Sequence, residues 1–185
     1  MKVVYWIIRN AVKLWLYLRF RIRVEGVRHI PQEGCILAMN HRSNYDSLLV
    51  GVHTPRKMYI MAKEELFKNR IGAWVIAEMG AFPVKRGSAD IRSLKHSLKL
   101  VEEGCLLSLF IEGTRSQSEE MGDPKKGIGF LVAKSRAPVV PVRIQGASGG
   151  WFSRASVTFG PPLTVEGKDY EEIARQVSDA IKKLA

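Results

Sequence analysis

Cysteine is scarce in this sequence, and the few cysteines form no motif. Only two of the 185 residues are cysteine, and Cys35 and Cys105 lie far apart in the sequence, outside any Cys-x-x-Cys or Cys/His cluster. Structural zinc sites and disulfide scaffolds both need more cysteines at short spacings. The sequence therefore argues against both and indicates a reducing compartment. A chain of this length needs neither, because a single domain of its size buries roughly 70% of its unfolded surface.

Acidic residues are also in short supply. The sequence has 18 Asp and Glu residues against 29 Lys and Arg residues, which gives a formal net charge of +11. This excess indicates an anionic partner, for which nucleic acid, anionic lipid and an acidic carrier protein are all candidates. The remaining composition, 46% apolar and 25% charged, is typical of a globular protein and excludes a disordered or collagen-like chain.

Long uninterrupted hydrophobic runs are missing from the N-terminal segment, where a signal or anchor would lie. Residues 1–23 are the most apolar stretch, but Arg9, Asn10 and Lys13 interrupt them. A membrane-spanning helix needs about 20 predominantly apolar residues. A secretory signal needs an unbroken apolar core before a cleavage site. The segment has neither property.

Residues 1–23 instead show the pattern of an amphipathic helix. At about 100° per residue, Lys2, Arg9 and Lys13 fall on one narrow stripe. The wide apolar face that remains includes Trp6, Ile7, Trp15, Leu16 and Leu18. We predict a helix that lies in the interface of an anionic membrane. The alternative is a helix docked on the protein's own core with its basic edge in solvent, and both arrangements can hold at once.

After Val24, short apolar runs alternate with longer amphipathic ones. The short runs predict strands at residues 34–39, 58–62, 81–84, 106–111, 139–144 and 155–159. The amphipathic segments predict helices at residues 46–52, 71–79, 90–103, 127–136 and 171–184. This alternation predicts one α/β domain over residues 24–185, with three layers and a largely parallel or mixed sheet flanked by helices.

The loop after the first predicted strand carries the first candidate site. His41 and Asp46 follow residues 34–39, and ligands of open α/β sheets bind at the carboxyl ends of strands. Ser43 or Asn44 is predicted to cap the next helix, which would place Asp46 in its first turn. The carboxylate can then bind one imidazole nitrogen and leave the other to accept a proton. The alternative is a loop histidine that only bonds the backbone.

Two further strand ends carry arginines. Arg86 follows residues 81–84, and Arg115 follows the strand at 106–111. We predict that the two guanidinium groups converge beside His41, where their paired donors suit a phosphate-bearing substrate. The alternative is ordinary solvated charge at strand ends.

Residues 146–150 satisfy the Gly-x-Ser-x-Gly pattern of a serine hydrolase elbow. That elbow needs a helix directly after the serine and a histidine later in the chain. A predicted strand follows Ser148 instead, and no histidine occurs after His96. The order of the residues excludes a serine hydrolase.

Four segments together resemble the signature of a known family. They are Asn-His-x4-Asp, Phe-Pro-Val-Lys-Arg, Phe-Ile-Glu-Gly-Thr-Arg-Ser and Val-Pro-Val, in this order. The pattern is similar to that of the glycerolipid acyltransferases, and most resembles the bacterial 1-acyl-glycerol-3-phosphate (lysophosphatidate) acyltransferases, over residues 24–165. The resemblance implies transfer of a fatty acyl group from an acyl carrier protein or coenzyme A thioester to the free hydroxyl of 1-acyl-glycerol-3-phosphate, giving phosphatidic acid.

The resemblance also implies roles for individual residues. His41 is the expected general base and Asp46 the acid that orients it, while Arg86 and Arg115 are expected to bind the acceptor's phosphate. The implied substrate-binding set is Lys63, Lys85, Arg86, Glu112, Gly113, Thr114 and Arg115. One departure is Ile111, which replaces the proline usual in the third motif and relaxes the backbone without removing a charged group.

We therefore expect a peripheral or monotopic acyltransferase at the cytoplasmic face of the cell membrane. Transfer is expected to be direct, without an acyl-enzyme, a metal or a tightly bound cofactor. The expected partners are the thioester donor, the lysophospholipid acceptor and the anionic membrane surface, but not nucleic acid. The rival is a non-enzymatic basic protein that binds anionic membrane or nucleic acid; against nucleic acid, the excess charge lies on a Trp-rich apolar segment rather than a polar arm.

Overall fold

A mixed sheet with helices on both faces forms the core of the protein. The structure is a computed structural model, and it describes residues 2–85, 90–116, 121–165, 167 and 169–184. Within these residues the strands are β1 Phe20–Glu25, β2 Cys35–Met39, β3 Met58–Lys63, β4 Ala81–Val84, β5 Leu106–Phe110, β6 Val139–Gln145 and β7 Ser153–Phe159. The helices are α1 Lys2–Arg19, α2 Asp46–Gly51, α3 Arg70–Glu78, α4 Ile91–Glu102, α5 Lys126–Ser135 and α6 Tyr170–Lys182. Short 3-10 turns cover Val27–His29 and Glu64–Phe67.

The strand order of the sheet is β1-β7-β6-β2-β5-β3-β4. Strands β6, β2, β5, β3 and β4 run parallel, β7 is antiparallel to β6, and β1 is parallel to β7. The carboxyl ends of these five parallel strands, β6, β2, β5, β3 and β4, therefore lie at one end of the sheet, together with the starts of β1 and β7. This confirms the predicted α/β fold with a mixed sheet.

The two faces of the sheet are covered by different helices. On one face, α1 and α2 bury Leu16, Leu49 and Val50 in a core that includes Met39 and Val142. On the other face, α4, α5 and α6 contribute the apolar residues of a second core: Leu100, Val101, Leu131, Val132, Ile173, Val177 and Ile181. Because both faces are covered, all five residues of β2 are buried, as expected for a central parallel strand.

The end of the N-terminal helix differs from the prediction. The helix ends at Arg19, not at residue 23, and Phe20–Glu25 form edge strand β1 instead. In this strand apolar and charged residues alternate, and Phe20 is buried whereas Arg21 is exposed. That period of two belongs to a strand with one wet face, but it is too short to stand out after a long helical pattern. The sheet therefore begins at Phe20, four residues before the predicted domain boundary.

Helix α1 is docked on the protein by only part of its apolar circumference. Tyr5 and Leu16 are buried, whereas Val3, Ile7 and Leu14 are each more than 60% exposed. The alternative, docking on the core, is thus realised by one stripe of the helix, and the membrane contact of the rest stays a prediction. Among the described residues, no helix combines the length and the apolarity needed to cross a membrane.

Candidate active site

Asn40 fixes the loop that leaves β2. Its side-chain Nδ2 donates to the carbonyl oxygen of Ile144 at 2.9 Å, and the backbone N of Ile144 donates to its Oδ1 at 2.8 Å. A carboxamide carries a donor and an acceptor like a peptide group. Asn40 therefore extends the contact between β2 and β6 beyond the end of the strand and sets the position of the next residue, His41.

His41 and Asp46 form the predicted pair. The Nδ1 of His41 lies 2.9 Å from Oδ2 of Asp46, and the two side chains are 10% and 1% exposed. An ionised carboxylate only accepts hydrogen bonds. Nδ1 is therefore the donor in this pair, and Nε2 of a neutral imidazole is the nitrogen that can accept a proton.

Asp46 also holds the loop around His41. Its Oδ2 accepts from the backbone N of Arg42 at 2.6 Å and of Ser43 at 2.7 Å. This corrects the predicted cap, because neither Ser43 nor Asn44 caps α2 with its side chain; Tyr45 occupies the N-cap position without a side-chain bond. The carboxylate at the first position of α2 bonds backward to the loop instead, and this brings it to the imidazole.

The imidazole of His41 is packed as well as hydrogen-bonded. Its ring stacks on Phe110 with a centroid distance of 3.7 Å and an interplanar angle of 13°. Its backbone N donates to Oε1 of Glu112 at 2.9 Å, and its carbonyl oxygen accepts from the N of Ser116 at 2.9 Å. Main chain and ring are both held in place, and Nε2 is the ring atom left for chemistry.

Glu112 joins the loops after β2 and β5. It is 4% exposed, and while Oε1 binds His41, Oε2 accepts from the backbone N of Gly122 at 3.1 Å. Both carboxylate oxygens are thus occupied within the protein. The structure gives Glu112 a positioning contact with the backbone of His41, and the implied contact with the acceptor stays a prediction.

A largely apolar cavity of about 500 Å³ lies beside Phe110. Its apolar lining includes Ile60, Met61, Val84, Leu94 and Leu109. Three predicted site residues, Lys85, Gly113 and Thr114, also line it. The structure therefore brings these three together at the carboxyl edge of the sheet, next to the ring on which His41 stacks.

Lys125 lines the same cavity and was missed by sequence reasoning. Its backbone N donates to the carbonyl oxygen of Ile111 at 2.8 Å, at the start of α5. Gly113 has a φ of +68°, and a Cβ there would lie 3.3 Å from Cγ of Lys125. A glycine thus permits both the turn and the approach of this lysine. The only sequence signal was its place in an unusually long polar loop.

Asp90 holds the backbone of Lys85 in place at the rim of the cavity. Its carboxylate accepts from the backbone N of Lys85 at 3.0 Å and of Ser93 at 3.1 Å, at the start of α4. These backbone donors, together with the Ser93 hydroxyl, lower the pKa of Asp90 to about 2. The carboxylate is therefore ionised at any physiological pH and keeps the end of β4 in place.

Two of the remaining predicted cations, Lys63 and Arg115, do not line this cavity. Lys63 ends β3 and Arg115 follows β5, and both are exposed at the edge that carries His41. Arg86 lies outside the described residues, so its predicted convergence with Arg115 stays a prediction.

Arg143 on β6 is a further cation that sequence reasoning missed. Its Nε and Nη1 are buried without a hydrogen-bond partner in the described part of the chain. Burial, and secondly the nearby Arg42 guanidinium, lower the pKa of Arg143, while Glu112 acts in the opposite direction. The Arg143 guanidinium therefore lies near Arg42, which follows His41 in the chain, and near Glu112, which binds the backbone of His41. Across the described ranges, no three His, Cys, Asp or Glu side chains are grouped as metal ligands.

These observations define a class of protein before any comparison is made. An α/β fold holds a histidine ready to accept a proton, at the carboxyl edge of its sheet, beside an apolar cavity rimmed by lysines. Such a site suits removal of a proton from a hydroxyl on a lipid-like anionic molecule.

The comparisons agree with that class. The family model described as "Acyltransferase" matches residues 21–145. The 1-acyl-sn-glycerol-3-phosphate acyltransferase of Bacillus subtilis is 34% identical over 76% of this chain and 71% of its own length. The chloroplastic enzyme of the same name, BAT2, from Brassica napus is 29% identical over 72% of this chain, which spans 41% of that relative. The chain belongs to the acyltransferase family, and the non-enzymatic rival is set aside.

One solved structure has the same fold. The crystal structure of the 1-acyl-sn-glycerophosphate acyltransferase PlsC from Thermotoga maritima superimposes with a TM-score of 0.76 at 24% identity, over 98% of this chain and 77% of that one. At this identity the likeness concerns the fold alone. It includes α1, because the match extends over almost the whole chain.

Proposed function

We propose that this protein transfers a fatty acyl group from an acyl carrier protein or coenzyme A thioester to the free hydroxyl of 1-acyl-glycerol-3-phosphate, giving phosphatidic acid. The observation that carries the proposal is the His41–Asp46 pair, held at 2.9 Å beside an apolar cavity in a member of the acyltransferase family. The names of the curated relatives support the choice of acceptor.

In the proposed reaction, His41 acts as the general base. Its Nε2 takes the proton of the acceptor hydroxyl while the oxygen attacks the thioester carbonyl carbon. Asp46 stabilises the imidazolium that forms, because its Oδ2 already lies at hydrogen-bond distance from Nδ1. When the tetrahedral intermediate collapses, the C–S bond breaks and His41 returns its proton to the thiolate. The new ester and the free thiol leave, and no acyl-enzyme is formed.

The cations at the same edge are proposed to bind the acceptor's phosphate. Arg115 and Arg86 follow from the resemblance, and Lys85 and Lys125 line the cavity beside Phe110. The apolar lining of that cavity suits a fatty acyl chain. Lys63 is proposed to stabilise the oxyanion of the intermediate from the end of β3. Positioning both substrates at one edge turns a bimolecular encounter into a directed one.

The protein is also proposed to work as a peripheral or monotopic protein at the cytoplasmic face of the cell membrane. Support comes from the exposed apolar residues of α1 and from the cations Arg9 and Lys13 on the same helix. Basic residues beside an apolar helical face favour anionic lipid surfaces.

The decisive experiment is a competition between acceptors. Purified protein is given one acyl thioester and an equimolar mixture of lysophospholipids, with glycerol 3-phosphate included, and the products are identified by mass spectrometry. We expect phosphatidic acid as the main product, with both carrier protein and coenzyme A tested as donors. The His41→Ala variant is the control. Preferential acylation of a zwitterionic lysolipid or of glycerol 3-phosphate would overturn the proposed acceptor.

A further inference from the structure

Arg143 on β6 is a half-buried cation that the folded chain leaves with unpaired donors. Its Nε and Nη1 are buried, and neither has a hydrogen-bond partner among the residues that the structure describes. Arg9 and Arg56 each have one such nitrogen, but their other guanidinium nitrogens donate to backbone carbonyl oxygens. A buried charged group with unpaired donors lowers the stability of a fold. The stability of the fold therefore does not explain Arg143.

The register of the sheet places Arg143 beside the loop that carries His41. Strand β2 pairs with β6 as far as Val142. Beyond that point, Asn40 bonds both backbone groups of Ile144. Arg143 is therefore level with Asn40, the residue that directly precedes His41. Because Val142 and Ile144 both pack in the core that α1 and α2 cover, the alternation of a strand turns Arg143 to the opposite face of the sheet.

Arg42 and Glu112 are charged groups close enough to act on Arg143. Burial first, and the Arg42 guanidinium second, lower the pKa of Arg143, and Glu112 opposes them. Glu112 already accepts a hydrogen bond at each carboxylate oxygen, from the backbone N of His41 and of Gly122. Two guanidinium groups thus share one carboxylate that other donors hold. This group carries more positive than negative charge, next to the backbone of the proposed base.

The chemistry of the proposed acceptor fits this group. In 1-acyl-glycerol-3-phosphate the free hydroxyl and the phosphate are on neighbouring carbons of the glycerol, so the phosphate must bind close to the residue that deprotonates the hydroxyl. In either thioester donor, the pantetheine arm separates the phosphate groups from the reacting carbonyl. Phosphate oxygens form strong charge-assisted hydrogen bonds with guanidinium donors. A cation beside the loop of His41 therefore suits the phosphate of the acceptor and not that of the donor.

We propose that Arg143, with Arg42 beside it, binds the phosphate of the acceptor from the β6 side of His41. This contact is additional to those of Arg86 and Arg115, and it rests on the proposed function. It makes the site selective, because an acceptor without a phosphate leaves the guanidinium donors unpaired. The stability that the free protein loses at the unpaired guanidinium is regained when a phosphorylated acceptor binds.

A pair of matched acceptors tests this selectivity. The wild type and Arg143→Met are assayed with 1-acyl-glycerol-3-phosphate and with the corresponding 1-acyl-glycerol, which lacks the phosphate, and each substrate is varied in turn. In Arg143→Met we expect kcat/KM for the phosphorylated acceptor to fall by about tenfold or more, chiefly through KM. The thioester KM and the kcat/KM for 1-acyl-glycerol should stay unchanged. Arg143→Lys keeps the charge and should recover part of the loss. An equal loss with both acceptors, or a rise in the thioester KM alone, would overturn the proposal.

Thermal unfolding without any thioester gives a second readout. Arg143→Met replaces a buried charge with an apolar side chain, so the melting temperature of the free protein should stay the same or rise. A short-chain, water-soluble 1-acyl-glycerol-3-phosphate should raise the melting temperature of the wild type more than that of Arg143→Met. Arg175→Met, at an exposed arginine paired with Glu172, is the matched control and should behave like the wild type. If the ligand shifts the wild type and Arg143→Met equally, Arg143 does not bind the phosphate and the proposal fails.

The two readouts separate this proposal from the proposed function. If the wild type forms no phosphatidic acid but the phosphorylated ligand still stabilises it through Arg143, the acyl-transfer proposal fails and the phosphate site stands. If the wild type forms phosphatidic acid and Arg143→Met does so with the same acceptor KM, the acyl-transfer proposal stands and the phosphate site fails.

Discussion

His41 and the cations at the same end of the sheet differ in burial and in how firmly they are held. The base is buried, stacked on Phe110 and bonded through its ring, its amide and its carbonyl group. Lys63, Arg115 and Lys125 are exposed at the same edge of the sheet. The difference shows that the proposed base is held in place before a ligand arrives, whereas Arg115 and Lys125, which are proposed to bind the acceptor's phosphate, are left open to solvent. Helix α1 shows the same contrast between buried and exposed side chains, because Leu16 is buried and Leu18 is exposed.

The largest effect is expected from removal of the base itself. His41→Ala should lower kcat by about 10²-fold or more, the usual contribution of a general base. The fold should persist, as the circular dichroism spectrum can check, because Asp46 keeps its two backbone donors, while the lost stacking on Phe110 should lower the melting temperature. A folded His41→Ala protein with wild-type turnover would contradict the mechanism.

Two leucines on α1 allow a buried position to be compared with an exposed one. Leu16→Ala should lower the free energy of unfolding by about 2–5 kcal/mol, because Leu16 is fully buried. Leu18→Ala, two residues further on, should leave stability within about 0.5 kcal/mol and weaken binding to anionic vesicles instead. Denaturant unfolding and vesicle sedimentation measure the two quantities. Equal destabilisation by both would mean that α1 is covered on all sides.

Substitutions of Glu112 test whether the packed surroundings of His41 depend on one buried carboxylate. Glu112→Ala leaves the amides of His41 and Gly122 without an acceptor, each at a cost of about 1–3 kcal/mol. We expect lower stability and a lower kcat with little change in the acceptor KM. Glu112→Gln keeps one acceptor oxygen and should recover part of the loss. A selective rise in the acceptor KM would instead assign Glu112 to substrate binding.

Substitution of Lys125 tests whether the exposed cations bind the phosphate of the acceptor. Lys125→Ala should raise the KM for the phosphorylated acceptor by about tenfold, through loss of a charge-assisted contact, and should leave the thioester KM unchanged. Arg115→Ala should behave in the same way. Lys134→Ala, an exposed lysine in the last turn of the same helix, is the matched control. If only the thioester KM rises, these cations serve the donor.

The smallest effect is expected at His53, a half-buried histidine outside the site. Burial, and to a lesser extent Lys13 and Arg9, lower its pKa below 6.5. The unfolded chain therefore binds the proton first as pH falls, so the stabilising contribution of neutral His53 is present above about pH 6.5 and declines below it. The free energy of unfolding of His53→Asn should fall less steeply than that of the wild type between pH 7 and pH 5. Parallel slopes would contradict this assignment.

Sequence patterns were sufficient for the layers of the fold. Strand β2 is an unbroken apolar run, and β5 is interrupted only by Ser108. Helix α6 repeats apolar residues on one face, so its period is unambiguous. Strand β1 was missed because its alternation follows a helix of similar composition without a break. Six residues are too few to distinguish a period of two from the helical period of 3.6, so the boundary between α1 and β1 could not be located from the sequence.

The candidate site contains residues that the sequence predicted and residues that it did not. His41 and Asp46 were predictable because their spacing is local, and one turn of loop joins them. The bonds of Asn40 to Ile144 and of Glu112 to His41 join residues far apart in the sequence, and no local pattern encodes them. Lys125 and Arg143 were missed for the same reason, since only the folded chain brings them to the site.

The bonds that surround His41 also have an entropic consequence. Holding a side chain and its backbone in a single conformation costs about 1–2 kcal/mol per residue for the main chain alone. For His41 the strands β2, β5 and β6 meet that cost when the chain folds, through Asn40, Phe110 and Glu112. No part of it is left to the moment at which donor and acceptor meet. In the proposed reaction, the free energy of substrate binding is then available for aligning the acceptor hydroxyl with the thioester.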